Sequence, residues 1–106
     1  MAHRIKNLLE MINMPDEGIL SIPIEDTDYY KVVLFLMPAG QYLSPHTSTM
    51  PATVYVLQGK ADFTLGEDKY EVNAGDHFFM PPNYNHAILA KEDFVFLLNL
   101  NRAASS

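Results

Sequence analysis

The chain changes its hydrophobic period near Pro15. Before it, Ile5, Leu8, Leu9 and Ile12 fall at i, i+3, i+4 and i+7, with Arg4, Lys6, Asn7 and Glu10 mostly on the other side. That spacing predicts a short amphipathic helix within residues 1–15, stopped by Pro15 and packed on the rest of the domain or on a partner subunit. After Pro15 the period drops to two. Leu20, Ile22 and Ile24 alternate with Ser21, Pro23 and Glu25, and the proline places this strand at a sheet edge. Residues 27–40 are rich in β-branched and aromatic side chains and end at Pro38 and Gly40; a further strand over 52–59 closes at Gly59. Residues 60–73 read as a hairpin turning at Gly66-Glu67-Asp68.

The phrases HFFMP, NHAILA and FVFLLNL complete the series, divided by Pro82-Asn83-Tyr84-Asn85 and by Glu92-Asp93. Many short strands at close intervals imply an all-β sandwich or barrel over residues 16–101, followed by a flexible tail over 102–106. The runs Val32–Met37 and Phe94–Leu98 are apolar at every position, so each needs cover on both faces: the opposite sheet on one, and the N-terminal helix or a second subunit on the other.

Composition narrows the function more than the fold. The 106 residues make one domain, and the absence of cysteine removes disulfides, thiolate nucleophiles, zinc–thiolate sites and iron–sulfur clusters. Any metal would rest on histidine nitrogen and on carboxylate or water oxygen. Acidic residues outnumber basic ones 13 to 7, for a formal charge of −6, and the basic residues are scattered singly, which argues against a nucleic-acid partner. Arg4, Lys6 and Glu10 interrupt any signal-peptide core, and the run Val32–Met37 is too short to span a bilayer. The expectation is a cytoplasmic protein with no membrane partner.

Two stretches carry candidate chemistry. In GQYLSPHTSTMPATVYVLQG (40–59), Gly40 is followed by five residues and His46; in GDHFFMPPNYNHAILA (75–90), Gly75 is followed by five residues and Pro81, with His86 beyond. Together with the intervening hairpin, these spacings resemble the two motifs of a small single-domain cupin over roughly residues 32–100. The resemblance implies a double-stranded β-helix, or jelly roll, whose two sheets enclose a pocket. It also implies a metal held by three histidines and a glutamate. The chain departs from that set: Ser48 stands for the second histidine, Ala52 for the glutamate (Thr53 if the register slips by one), Asn83 for a glycine and Ala90 for an asparagine. His46 and His86 remain.

The expected pocket therefore holds His46 and His86, with Tyr42, Ser48, Ala52, Val54, Val56, Phe78 or Phe79, Met80 and Ile88 along its walls and Met50 and Tyr84 at its rim. His77 would add a third imidazole if it points inward, a direction that spacing does not settle. His3 belongs to the N-terminal segment, and Asp62, Glu67, Asp68 and Glu71 to a solvated face of the hairpin. There is no Ser/His/Asp arrangement and no phosphate-cradling glycine loop. Three functions stay open. The first is binding of a small molecule without catalysis. The second is a metal-dependent enzyme of the dioxygenase or isomerase type, with iron, manganese, nickel or zinc, weakly held if at all, on His46 and His86, joined by His77 if it points inward. The third is metal-free acid–base catalysis by one of the two histidines. Cupins of this size commonly pair, so a homodimer is expected.

Overall fold

The computed structural model describes residues 5–46 and 48–102, with Pro45 and His46 described in backbone alone. Among the described residues, nine strands follow a 3₁₀ turn at Leu8–Met11. They are β1 (Leu20–Asp26), β2 (Tyr30–Met37), β3 (Tyr42–His46), β4 (Ala52–Gln58), β5 (Lys60–Leu65), β6 (Asp68–Asn73), β7 (His77–Met80), β8 (His86–Ala90) and β9 (Phe94–Asn101). They form a five-stranded sheet in the order β1-β2-β9-β4-β7 and a four-stranded sheet in the order β3-β8-β5-β6. All pairings are antiparallel. The architecture is the all-β sandwich that the strand grammar implied, in the jelly-roll form that the cupin resemblance implied. Among the described residues no helix is long and apolar enough to cross a membrane.

The main core lies between the sheets. Met37, Val54, Val56, Phe63, Phe94 and Phe96 are buried there, with Phe35 stacked flat on Phe96 at a centroid distance of 4.9 Å. The two-sided strands β2 and β9 sit in the middle of the larger sheet and send their alternate residues outward. On that outer face Leu34, Leu36 and Val95 are fully buried, covered by Met11, Ile12 and Met14 from the N-terminal segment and flanked by Ile22 and Ile24 of β1. Burying one such aliphatic side chain is worth about 1.5–3 kcal/mol. This cover is what the apolar runs demanded, and it comes from within the chain.

Its form differs from the expected helix. Asn7 caps the turn by accepting from the backbone N–H groups of Leu9 and Glu10, but helical geometry has ended by Ile12, whose backbone is extended. A helix of about a dozen residues is marginal without packing along its length. Ile5 and Leu9 are exposed, so the apolar stripe is not buried along its length. The extended continuation instead delivers Met11, Ile12 and Met14 to the sheet. Residues 1–4, with His3, and residues 103–106 lie outside the described residues. Arg102 is tied down: its guanidinium donates to the Asp26 carboxylate and to the Thr27 carbonyl, and its backbone N–H to the Tyr29 carbonyl.

Pro23 lies on edge strand β1 as its missing N–H requires, and the register with β2 slips between Pro23 and Glu25. The hairpin turn is tighter than expected, since Leu65 pairs with Asp68 across Gly66-Glu67. Gly59 joins the larger sheet to the smaller one with φ +88°, and a Cβ there would stand 2.1 Å from the Asp93 carbonyl oxygen. No side chain fits that crossing.

Candidate functional site

The two sheets do not fill their interior evenly. Toward one end they leave a cavity of about 260 Å³. Phe35, Phe96, Leu98 and Leu100 wall it from the larger sheet, and Leu43 and Ile88 from the smaller. Ser48, Met50, Ala52 and Met80 line it nearer the loops. One ionisable side chain reaches it among the described residues: His86, first residue of β8 and only 5 % exposed.

The position of His86 follows from strand parity. On β8, His86 and Ile88 line the cavity while Leu89 lies on the outer face. The ring nitrogen Nδ1 lies 3.3 Å from the Tyr84 carbonyl oxygen. A carbonyl only accepts, so Nδ1 carries the proton and the basic nitrogen of the neutral ring is Nε2. Ser48 is similarly held. Its Oγ accepts from the Met50 N–H at 3.1 Å, and its carbonyl accepts from the Asn83 N–H at 2.7 Å. The hydroxyl still has its own proton to donate.

Asn83 explains one of the departures from the cupin motif. It is the one non-glycine residue with positive φ among the described residues, at +69°. Asparagine tolerates this left-handed conformation better than most side chains, so it keeps the backbone turn that a glycine would make. That turn bonds the segment before β8 to the segment before β4, and thereby sets His86 and Ser48 at one cavity.

His46 ends β3, and its backbone stands in register opposite His86. Its side chain lies outside the described residues. The register shifts between Leu43 and His46, since Leu43 pairs with Ile88. This irregularity moves Tyr42 off the expected wall. Counting by twos back from His46 leads to Tyr42, yet Leu43 is the residue that faces the cavity. Tyr42 is 53 % exposed on the outer face, where it lines a shallow depression with Asp62, Lys69 and Leu89. Val54 and Val56 are fully buried in the core without lining the cavity. Ser48, Ala52, Met80 and Ile88 do line it.

His77 points away. On β7, Phe78 and Met80 face the interior, so His77 and Phe79 emerge on the outer face, where both are exposed. His77 pairs there with Tyr55. Among the described residues no three His, Asp or Glu side chains come together. The motif positions retain two histidines, His46 and His86, and put Ser48 and Ala52 where further ligands would stand. Tightly held zinc or iron usually has three or more protein ligands, so this donor set does not fit such an ion.

Sequence patterning missed Phe35, Leu43, Phe96, Leu98 and Leu100 as cavity walls. β2 and β9 read as apolar on both faces, and only their register with β4 shows which residues share the hollow end: Ala52 opposite Leu100, and Val54 opposite Leu98.

Asp62 sits on the outer face of the smaller sheet, between Lys69 at 3.4 Å and Lys91 at 3.3 Å, and Lys91 also meets Glu71 at 3.0 Å. Burial pushes the Asp62 carboxyl up, but hydrogen bonds and charge from Lys91 and Lys69 outweigh it and hold the group below its ordinary value. Hydrogen bonds that Lys91 donates to the Glu71 and Asp62 carboxylates hold its own value up. This network is remote from the cavity in the sense that it lies on the opposite face of β5 and β8.

Comparison with known proteins gives the same picture. The family profile described as "Cupin domain" matches residues 33–98. A conserved protein of unknown function from Streptococcus pyogenes is similar at 26 % identity and a TM-score of 0.85, covering 93 % of this chain and 87 % of that one. A cupin superfamily protein from Desulfitobacterium hafniense matches at 24 % identity and a TM-score of 0.85, over 92 % of this chain and 90 % of that one. A DMSP lyase from Ruegeria pomeroyi shares the fold at 23 % identity and a TM-score of 0.72, over 78 % of this chain and 46 % of that one. No curated protein matches the chain in sequence. With two sandwiched sheets, both motif histidines in register and the family profile spanning most of the strands, the chain belongs to the cupin family.

Proposed function

We propose that the chain is a small-molecule-binding cupin whose ligand occupies the cavity between the sheets. One observation carries this reading: a cavity of about 260 Å³ between the sheets, with His86 and Ser48 as polar groups on an apolar wall. A few convergent polar groups in an apolar hollow is the usual composition of a small-molecule site. His86, locked by the Tyr84 carbonyl, would orient a ligand oxygen or exchange a proton with it.

A second reading, a divalent ion on His46 and His86 of a metal-dependent enzyme, is supported by their opposed register positions and weakened by the two-donor count. Elemental analysis of protein purified without a histidine tag separates the two. Retained metal well below one ion per chain is the expected result. Stoichiometric metal that disappears in His86→Ala would overturn the metal-free reading. Ligand binding itself is read by thermal shift, where a compound at a hundred times its Kd raises stability by about 2.7 kcal/mol.

A further inference from the structure

The outer face of the larger sheet, on the opposite side of β4 and β9 from the cavity, carries a second site. We infer that it binds a short, neutral oligosaccharide whose pyranose rings have equatorial hydroxyls. The inference does not depend on the cavity being a binding site.

What covers this face changes along it. Around β2, Leu34 and Leu36 lie under Met11, Ile12 and Met14. Toward β7 a depression of about 540 Å³ stays open, with Tyr29, Thr53, Phe79 and Asn99 among the residues that line it. Strand register sets three of these side by side. Thr53 stands opposite Asn99 on one flank and opposite Phe79 on the other. Alternation turns Ala52, Val54, Phe78 and Met80 inward, so Thr53 and Phe79 emerge outward. Leu98 and Leu100 face the cavity, so Asn99 between them shares the outer face. Tyr29, just before β2, stands at the opposite rim. From β7 to β2 the sheet steps across β4 and β9, a span of roughly 14 Å at the usual strand spacing.

Two features set this face apart from a merely solvated one. Phe79 is 53 % exposed and Tyr29 70 %, and large rings left open beside polar groups mark binding surfaces. Asparagine is disfavoured within strands, yet Asn99 lies inside β9, a strand paired on both sides. Among the described residues, neither its amide nor the Thr53 hydroxyl makes a side-chain hydrogen bond. A donor and an acceptor on one amide, and a hydroxyl that is both, therefore stand next to an open phenyl ring.

That combination matches the two kinds of surface on a sugar. A pyranose with equatorial hydroxyls has C–H groups on its faces and hydroxyls around its edge. The ring face stacks on Phe79. Two neighbouring hydroxyls meet the Asn99 amide, one accepting from its NH₂ and one donating to its oxygen, and a third meets Thr53. A proline-rich peptide would also lie on aromatic rings, but its prolines lack N–H donors, which leaves the Asn99 oxygen unpaired. The chain's formal charge of −6 disfavours acidic sugars. A span of roughly 14 Å exceeds one ring and takes a short extended chain, of which cellotriose is an example.

The test is a titration of the full chain, labelled with ¹⁵N and ¹³C, with cellotriose. It is read on the backbone N–H signals of Thr53, Phe79 and Asn99 and on the Met80 methyl, which lies in the cavity. Cellotriose is expected to shift the three outer-face signals saturably and to leave the methyl in place. Phe79→Ala and Asn99→Ala, both at exposed positions, are each expected to weaken binding about tenfold, and Phe79→Tyr by no more than about twofold. Unchanged affinity in Phe79→Ala would overturn the site. A proline-rich peptide that shifts the same signals at lower concentration than cellotriose would overturn the ligand class. Outer-face signals that stay in place up to the solubility limit of cellotriose would overturn the proposal and leave the cavity reading standing. Movement of the Met80 methyl instead would put the sugar in the cavity and equally overturn the outer site.

Discussion

The two ends of the sandwich interior share the same sheets and differ in what fills them. At the Gly59 end, Met37, Val56, Ala61, Val72, Ala90 and Phe94 are buried together in the core. At the other end Ser48, Ala52 and His86 stand among large apolar groups and leave a hollow. The difference is not one of hydrophobicity, since both ends have phenylalanines and leucines or valines in their walls. It lies in geometry. At the solid end the chain crosses between sheets at Gly59, drawing the Asp93–Phe94 backbone close. At the hollow end, loops tied by the Asn83–Ser48 hydrogen bond hold the sheets' edges without inserting bulk. Close packing yields a unique fold; the void gives up part of that stability and keeps room for a guest.

The largest break comes from Gly59→Ala. Its left-handed φ and the 2.1 Å approach to a backbone oxygen leave no relaxed solution, so a loss on the order of 5 kcal/mol, or no folded protein, is expected in chemical denaturation. A paired substitution sharpens the contrast next. Ala90→Leu at the solid end should cost about 3 kcal/mol by overpacking, whereas Ala52→Leu at the hollow end should change stability by less than about 1 kcal/mol because the void takes the added carbons. Equal costs at the two ends would show that the hollow collapses in solution.

The smallest effect lies outside both ends. Asp62, held low by Lys91 and Lys69 against its burial, contributes stability that is present above its ordinary value of 3.8 and is lost as the pH falls through its lowered folded value. Asp62→Asn should therefore lower the melting temperature at neutral pH, and the gap to the parent protein should close as the pH drops well below 3.8. Both interior ends should keep their behaviour in this variant, which separates the surface network from the packing comparison.

Most of the fold was legible because period-two patterning, Gly/Pro punctuation and two motif spacings agree on eight of the nine described strands, and β3 (Tyr42–His46) was read only as part of the first motif. The N-terminal helix was not, because an i, i+3, i+4 stripe describes a potential face, and here the sheet takes Met11, Ile12 and Met14 from an extended segment instead. The site was half legible. Motif position singled out Ser48, Ala52 and His86, all of which line the cavity. Tyr42 was misplaced because the slipped register between Leu43 and His46 breaks the alternation that sequence counting assumes. The direction of His77 could be decided only once Met80 and Phe78 were seen to face inward.

The strand order carries a consequence for how the molecule is built. β2 and β4 never pair with each other; each is joined to the larger sheet through β9, the last of the described strands. While the chain is being synthesised, the β1–β2 hairpin and the β4–β7 pair can form, but they remain separate halves with Phe35 and Val54 uncovered until Phe94–Asn101 arrives between them. Such distant pairing slows folding and leaves apolar strand edges open to other chains in the interval. A nascent chain halted before β9 would therefore be a pair of adhesive half-sheets, in need of a chaperone's protection until the keystone strand is delivered.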